Sequence, residues 1–497
     1  MTLGIDLGTT YSVGAYIDNE NNPHVITNRE GELLTPSVVL LDKDNNVVVG
    51  DVAKDNLIIR PDQVISVIKN SMGRSITVKE KNGIRYTPEM ISGCILRKIV
   101  QDAEQFVGEK VTNVVITVPA YFKDSQRKAT KDAAAIAGIP LGGMINEPTA
   151  AALCYVHNNN ITNEYLLVYD LGGGTFDVTV LYVKSKTEIE VMSTGGLSNT
   201  GGRFFDQAIV DYVRDYIEDA HGIDLEDDEY VTDLQELYLK AEKAKTQLSS
   251  TSTATITLKI GNIRESIELT RERFEQMIKN TYDKTERKMR EVIDAAGLQT
   301  EDLHRVLLVG GSSRIPYIEE RIRQFTGKNP SKDINPDEAV AIGAALYADM
   351  NASTNGQTQF TDVCSHSIGV VVINDFGKEE NEKIIPKNSK LPIENRQRFR
   401  TVIANQKKID LTITEGEYKE LSDVTIIGTY EIDLPPGVPE NTLIVLTISL
   451  DNNQLLHIHI SLPDIGIENE YQMTRNANMD ADTLKNATGI LRDISVS

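Results

Sequence analysis

Two short glycine turns, each opened by an aspartate, constrain this chain more than any other feature. Asp6-Leu7-Gly8-Thr9-Thr10 recurs in variant form, 164 residues later, as Asp170-Leu171-Gly172-Gly173-Gly174-Thr175. The first copy runs on into Ser12-Val13-Gly14-Ala15-Tyr16 and the second into Asp177-Val178-Thr179-Val180-Leu181-Tyr182, both rich in strand formers. The repeat predicts two strand-turn-strand hairpins, in two related halves, facing one ligand. Glycines in a tight turn let backbone N–H groups approach phosphate oxygens, and neighbouring hydroxyls add donors. An aspartate there repels phosphate but holds Mg²⁺ or its water shell, because a hard cation takes oxygen ligands. Two such turns therefore predict a clamp on a magnesium-nucleotide. One copy alone is most often a structural turn, so the second copy carries the reading. Neither is followed by the Gly-Lys-Ser/Thr of a Walker loop, and neither has Rossmann spacing.

Around these turns, up to about residue 350, short apolar strands alternate with helical stretches, the pattern of an α/β fold. Val114 to Val118 reads as a buried strand stopped by Pro119, followed by a helix from Asp124 to Ala137 with Gly138 as its stop. A longer helix is expected from Arg271 to Ala296, with Thr270 as N-cap and Gly297 beyond its end. Val306 to Val309 reads as another buried strand, and the pair Gly310-Gly311 follows it. That pair either lets an adenine ring lie against backbone, with Arg314 stacked on it, or is a plain strand-to-helix turn.

The composition changes after Asp349. Met350 to Gln359 is small, polar and aperiodic, as in a connector. Beyond it Lys408 to Thr414, Leu443 to Leu450 and Leu455 to Leu462 alternate, with Leu456, Ile458, Ile460 and Leu462 on one face. The expected division is a nucleotide-binding region at 1–350, a linker at 351–365, an antiparallel β domain at 366–475 and a short helical segment at 476–497.

With 497 residues, at roughly 150 per domain, the chain has room for about three folding units. Its net charge of −22 argues against nucleic acid and anionic membrane as partners, since phosphate contacts need clustered Lys and Arg. Three cysteines, Cys94, Cys154 and Cys364, point to a reducing compartment rather than a disulfide framework. With no secretory leader and no apolar run of roughly 18 residues, the expected location is the cytoplasm.

Several further segments, in order along the chain, resemble the signatures of the DnaK-type heat-shock chaperones. They are Gly4 to Ser12, Val118-Pro119-Ala120-Tyr121-Phe122, Asn146-Glu147-Pro148-Thr149-Ala150-Ala151-Ala152, Asp170 to Asp177, Val309 to Pro316 and Asn335-Pro336-Asp337-Glu338-Ala339. Asp362-Val363-Cys364 with Ser367-Ile368-Gly369-Val370 is similar to the divergent HscC-like branch. The resemblance implies an actin-like, two-lobed ATPase followed by an antiparallel β-sandwich. It implies ATP or ADP with Mg²⁺ as cofactors, K⁺ as a further cation, and unfolded or extended polypeptides as partners.

On that resemblance Thr9, Thr10 and Tyr11 form the first phosphate loop, and Gly172, Gly173, Gly174 and Thr175 the second, with Gly201 and Gly202 close by. Lys69 positions the γ-phosphate and attacking water, Glu147 lies by that water, and Asp6 and Asp170 lie near the metal, joined by Asp177 around monovalent cations. Glu242, Lys245 and Ser249 match the adenosine-side helix, and Gly310, Gly311, Ser312, Arg314 and Asp337 complete the pocket. Taken alone, Glu242 and Lys245 read as a solvated surface pair, and Lys69 as an ordinary surface lysine. The resemblance places a peptide groove at Val370, Ile373, Phe399, Val402, Ile409 and Leu411, where an extended peptide takes backbone hydrogen bonds and apolar pockets. Each of these also reads as a sandwich core residue. His457 and His459, two apart on one strand, lack a third ligand and read as structural or surface residues.

The sequence departs from the family pattern in four places. The linker Thr358-Gln359-Phe360-Thr361-Asp362 has one apolar residue, which predicts weaker coupling between the sites. Gly143 stands where the pattern carries an arginine that receives a J-domain, so a specialised J-domain co-chaperone and exchange factor are expected. The loop Asn374 to Asn388 is rich in Glu and Lys. The family's helical lid has no counterpart beyond Asp480 to Ile494, which predicts fast peptide exchange. The rival readings are an actin-like small-molecule kinase, which leaves the β domain unexplained, and a nucleotide-responsive regulator without peptide binding.

Overall fold

The computed structural model describes residues 1–42, 46–352, 359–374, 376–472 and 479–497. Both Asp-Leu-Gly turns close antiparallel hairpins. Thr2–Asp6 pairs with Tyr11–Ile17, and Glu164–Leu171 pairs with Thr175–Ser185. Each hairpin is built into a mixed sheet in the same way, its leading strand flanked by a parallel neighbour: Asn113–Val118 in the first sheet and Arg305–Val309 in the second. Leu141–Asn146 extends the first sheet and Glu188–Ser198 the second. Leu166, Leu167, Val168 and Tyr169 are all 0% exposed, which explains why these strands read as apolar runs rather than alternations.

The helices bear out their end signals closely. Asp124–Ile136 ends one residue early, with Gly138 at φ 72°. Arg271–Ala295 starts where Thr270 Oγ1 accepts from the Arg273 amide, and Gly297 follows at φ 73°. The helix Ala339–Ala352, rich in alanine, packs backbone against backbone. A Cβ placed on Gly4 would lie 2.2 Å from the Ala345 nitrogen, and one on Gly343 would lie 1.7 Å from the Ala150 oxygen. Hydrogen is thus the only side chain these two positions accept.

After this helix come two four-stranded antiparallel sheets. One orders Glu379–Ile385, Ile368–Ile373, Lys408–Glu415 and Thr425–Asp433, and the other orders Ile393–Arg400, Leu443–Leu450, Leu456–Leu462 and Ile467–Gln472. They share one core, to which Ile368, Ile384 and Ile413 contribute from one sheet and Leu446, Ile448 and Ile458 from the other. Leu456, Ile458, Ile460 and Leu462 are all buried, as the alternation predicts.

The expected connector differs from its reading. Helix runs to Ala352, residues 353–358 lie outside the described set, and Gln359–Thr361 is a strand. It pairs in parallel with Glu188, Ile189 and Glu190 at the edge of the second mixed sheet, and Phe360 meets Tyr347 edge-on at 6.2 Å. Backbone pairing and the packing of Phe360 hold this segment, and one apolar residue among polar ones gave too little signal.

The β region lies directly against the edge strand Leu141–Asn146 of the first sheet and the segment around Asp124. Asp124 N donates to Glu415 at 3.2 Å, Met144 N to Asn453 at 3.0 Å, and Asn146 Nδ2 to Asp362 at 2.8 Å. Ser365 Oγ donates to the Ala120 carbonyl, and the His366 ring meets Tyr121 at a tilt of 53° with centroids 4.1 Å apart. The helix Ala481–Asp493, capped by Asp480, packs Ala487 and Leu491 into the core beside Pro88–Val107. Val47 and Val49 then pair with the backbone of Ser495 and Ser497. No helix among the described residues is long and apolar enough to cross a membrane.

Candidate functional site

The two hairpin turns face each other across a cavity of about 540 Å³. Their approach is close: a Cβ on Gly173 would lie 2.2 Å from Thr10 Oγ1, and one on Gly174 would lie 2.6 Å from Asn70 Oδ1. Glycine is required by proximity here. The first turn is locked by Ser12, whose hydroxyl accepts from Gly8 N, and by Ser37, which donates to the Gly8 carbonyl. The second is held from behind, where Gly202 N and Arg203 N donate to the Gly172 and Gly173 carbonyls, both at 2.9 Å.

At the cavity floor Lys69 Nζ meets Glu147 Oε1 at 2.5 Å. Lys69 sits on a short helical turn, Ile68–Ser71, and Glu147 opens the helix Glu147–Asn158. Burial pulls the Lys69 ammonium down, but the Glu147 and Asp6 carboxylates outweigh it and leave its pKa above the ordinary value. Asp6, which accepts from Thr117 at 3.0 Å, is raised to about 7 by burial and then by Glu147. Burial and the same neighbour raise Asp177 to about 7 and lift Asp170 well above the usual carboxylate range. Four carboxyl groups thus converge on one lysine. Among the described residues no three His, Cys, Asp or Glu side chains are grouped to hold a metal ion by themselves, so a hard cation beside Asp6 and Asp170 would take the rest of its oxygen ligands from phosphate and water.

The far end of the cavity is built from the second half of the region. Lys245 bridges the Gly202 carbonyl and Asp206, at 3.1 and 2.8 Å. Ser312 Oγ donates to the Gly172 carbonyl at 2.9 Å, and Arg314 pairs with Asp337 at 2.6 Å. Gly310, at φ 77°, fits because a Cβ there would lie 2.5 Å from the Leu171 carbonyl. Across the mouth Lys54 links Tyr11 Oη at 2.9 Å to Glu242 at 3.1 Å.

Thr9, Thr10, Tyr11, Lys69, Glu147, Asp6, Asp170, Gly172, Gly173, Thr175 and Gly202 all line this cavity. So do Glu242, Lys245, Ser249, Gly310, Gly311, Ser312, Arg314 and Asp337. Gly174, within the second turn, stands against Asn70 and Thr9, Gly201 packs on the backbone of Gly172 and Gly173, and Asp177 accepts from Tyr121 N at 2.8 Å. Sequence reasoning missed Leu34, Arg203 and Asp206 in the wall, and Lys54 at the mouth. Asp206 follows Gly202 by one helical turn, a spacing that could have flagged it; Lys54 and Leu34 carry no such signal.

The six groove residues do not share one environment. Val370 is 1% exposed and belongs to the core, whereas Ile373 is 72% and Val402 is 74% exposed. Phe399, Ile409 and Leu411 are half-buried against the core. Phe376, at 95%, and Ile403, at 59%, add apolar surface beside the exposed pair in sequence. His457 pairs with Asp451 at 3.5 Å.

Compared with known proteins, residues 2–489 match the family described as Hsp70 protein. The chain belongs to the Hsp70 family. Hsp70 proteins are in general ATP-dependent chaperones that bind ATP or ADP with Mg²⁺, unfolded polypeptides, and J-domain and exchange-factor co-chaperones. The match extends through the cavity, the edge strand and both antiparallel sheets.

Proposed function

We propose that the chain is an actin-like, two-lobed ATPase whose β-sandwich binds extended apolar segments of unfolded proteins, with ATP hydrolysis setting how long they stay bound. The observation that carries this reading is the pair of glycine turns closing face to face over the Lys69–Glu147 ion pair. Phosphoryl transfer to water needs positioning and charge neutralisation more than covalent chemistry. Backbone amides of Thr9, Thr10, Gly173 and Gly174 bind phosphate oxygens, and Lys69 neutralises charge on the terminal phosphate. Glu147, fixed by Lys69, orients the attacking water. Asp6 and Asp170 would hold Mg²⁺, with Asp177 and K⁺ nearby; when bound, the metal neutralises phosphate charge. Glu242, Lys245, Ser249 and Arg314 hold the adenosine.

The edge strand Gln359–Thr361 and the Asn146–Asp362 bond support coupling between the two regions despite the polar linker. Exposed Ile373 and Val402 support a groove mouth, with Phe399, Ile409 and Leu411 along its wall. The Asp362-Val363-Cys364 segment favours the HscC-like branch and, with Gly143, a specialised J-domain partner. The three cysteines, buried and free, favour a cytoplasmic location. A peptide-dissociation assay with and without ATP tests the proposal. ATP accelerates release from the wild type and less so from Lys69→Ala, whereas indifference of the wild type to ATP would refute coupling.

A further inference from the structure

Behind the second glycine turn, on the side away from the nucleotide cavity, lies a groove of about 650 Å³ between segment 64–78 and the start of the helix Gly202–His221. Its polar lining is Asn70, Ser71, Arg74, Asn199, Arg203 and Gln207, beside Ser66. No carboxylate lines it among the described residues, in a chain of net charge −22. Arg74 and Arg203 are exposed, and neither guanidinium has an ion-pair partner among the described residues. Two uncommitted guanidiniums with amide and hydroxyl donors around them form an anion site, and a guanidinium matches phosphate oxygens bidentately.

The groove adjoins the reaction site. Arg203 lines both cavities, and its backbone nitrogen donates to the Gly173 carbonyl at 2.9 Å. Asn70, next to Lys69, stands against Gly174 and so forms the thin partition between the terminal-phosphate position and the groove. We propose that this groove binds inorganic phosphate and is its exit station after hydrolysis, with Asn70 as the side chain that must turn aside. The proposal rests on the ATPase reading for its role, but its binding site stands on the groove alone. Elsewhere the protein's field opposes a leaving anion, so a basic passage sets the release rate and, with it, how long the product state persists.

Two measurements on the full chain test this. With ADP bound, inorganic phosphate is titrated and its phosphorus NMR line width followed. Wild type broadens the line and sulfate reverses the effect; Arg74→Glu reduces broadening by roughly threefold or more, while Arg74→Lys keeps most of it. In a single ATP turnover, chemical quench reads hydrolysis and a phosphate sensor reads release. Arg74→Glu leaves the quench rate unchanged and slows release by roughly three- to tenfold. Equal line widths or equal release rates in wild type and Arg74→Glu overturn the proposal. If Arg74→Glu fails to fold by circular dichroism, Gln207→Glu brings the same charge from the opposite wall and is read in the same way. Absence of hydrolysis in the quench would instead sink the ATPase reading, with the titration still deciding the groove.

Discussion

The Asn146 amide donates to the Asp362 carboxylate across 2.8 Å, and the residue after Asn146 is Glu147. One hydrogen bond therefore separates the neighbour of Glu147, the residue proposed to orient the attacking water, from the first residue after the edge strand. The same Asn146 accepts from Arg127, whose guanidinium also donates to the Ala120 and Phe122 carbonyls in the loop the β region touches. Asp362→Ala is expected to cut most of a coupling of about 1–3 kcal/mol. Peptide dissociation with and without ATP reads this directly. A variant in which ATP still speeds release as in the wild type would place the coupling elsewhere.

Lys69→Ala removes the cation that pairs with Glu147 and offsets the buried Asp6 and Asp170 carboxyl groups. Hydrolysis should fall by about 10²–10³-fold, as for loss of a preorganised charge-stabilising group, while nucleotide still binds. Single-turnover hydrolysis beside a nucleotide titration separates the two effects.

At the cavity mouth, the Lys54 bridge from Tyr11 to Glu242 spans the two halves. Both partners are partly exposed, so the bridge contributes at most about 1 kcal/mol. Lys54→Ala should speed ADP dissociation by roughly two- to fivefold, measured by displacement of a fluorescent analogue, and added salt should narrow the difference.

His366 gives the docked arrangement a pH dependence. Burial lowers its pKa to about 4, against only partial support from the bond to the Tyr121 carbonyl; Lys387 and Lys123 add to the lowering, and Glu417 opposes it. Once undocked, the ring returns towards 6.5 and binds a proton more readily. Docking through this group is therefore intact above 6.5 and weakens as pH falls towards 4. Asp362, raised to about 6 by burial, acts with the opposite sign below that value. Energy transfer between labels on the two regions should show docking lost on acidification in the wild type, and retained to lower pH in His366→Gln.

In the β region, position decides outcome. Val402→Asp should weaken peptide binding several-fold with little change in melting temperature, because Val402 is exposed. Val370→Asp should unfold the sheets, because an unpaired carboxylate at a buried core site is costly. Peptide affinity and thermal melting, read on both variants, distinguish them.

Both hairpins, the helix ends and the alternating strands were legible because each is dictated locally: by turn chemistry, by a cap such as Thr270, or by burial on one or two faces. The cavity wall was legible only where glycine or a motif marked it. Gln359–Thr361 was not, since a three-residue edge strand with a single apolar residue, Phe360, is held largely by main-chain pairing that composition does not record. Nor did spacing tell Val370 from Ile373: they lie three apart on one strand, so alternation places them on opposite faces, but not which face is covered.

Gly4 and Gly343 touch main chain where any other residue would place a carbon atom, one on the first hairpin and one on the helix beside Ala150. The shape of the cavity between the two glycine turns is therefore ruled by a peptide-on-peptide joint with no slack. A single methyl at either position would wedge this joint open, and the turns would move although every residue lining the cavity stayed the same.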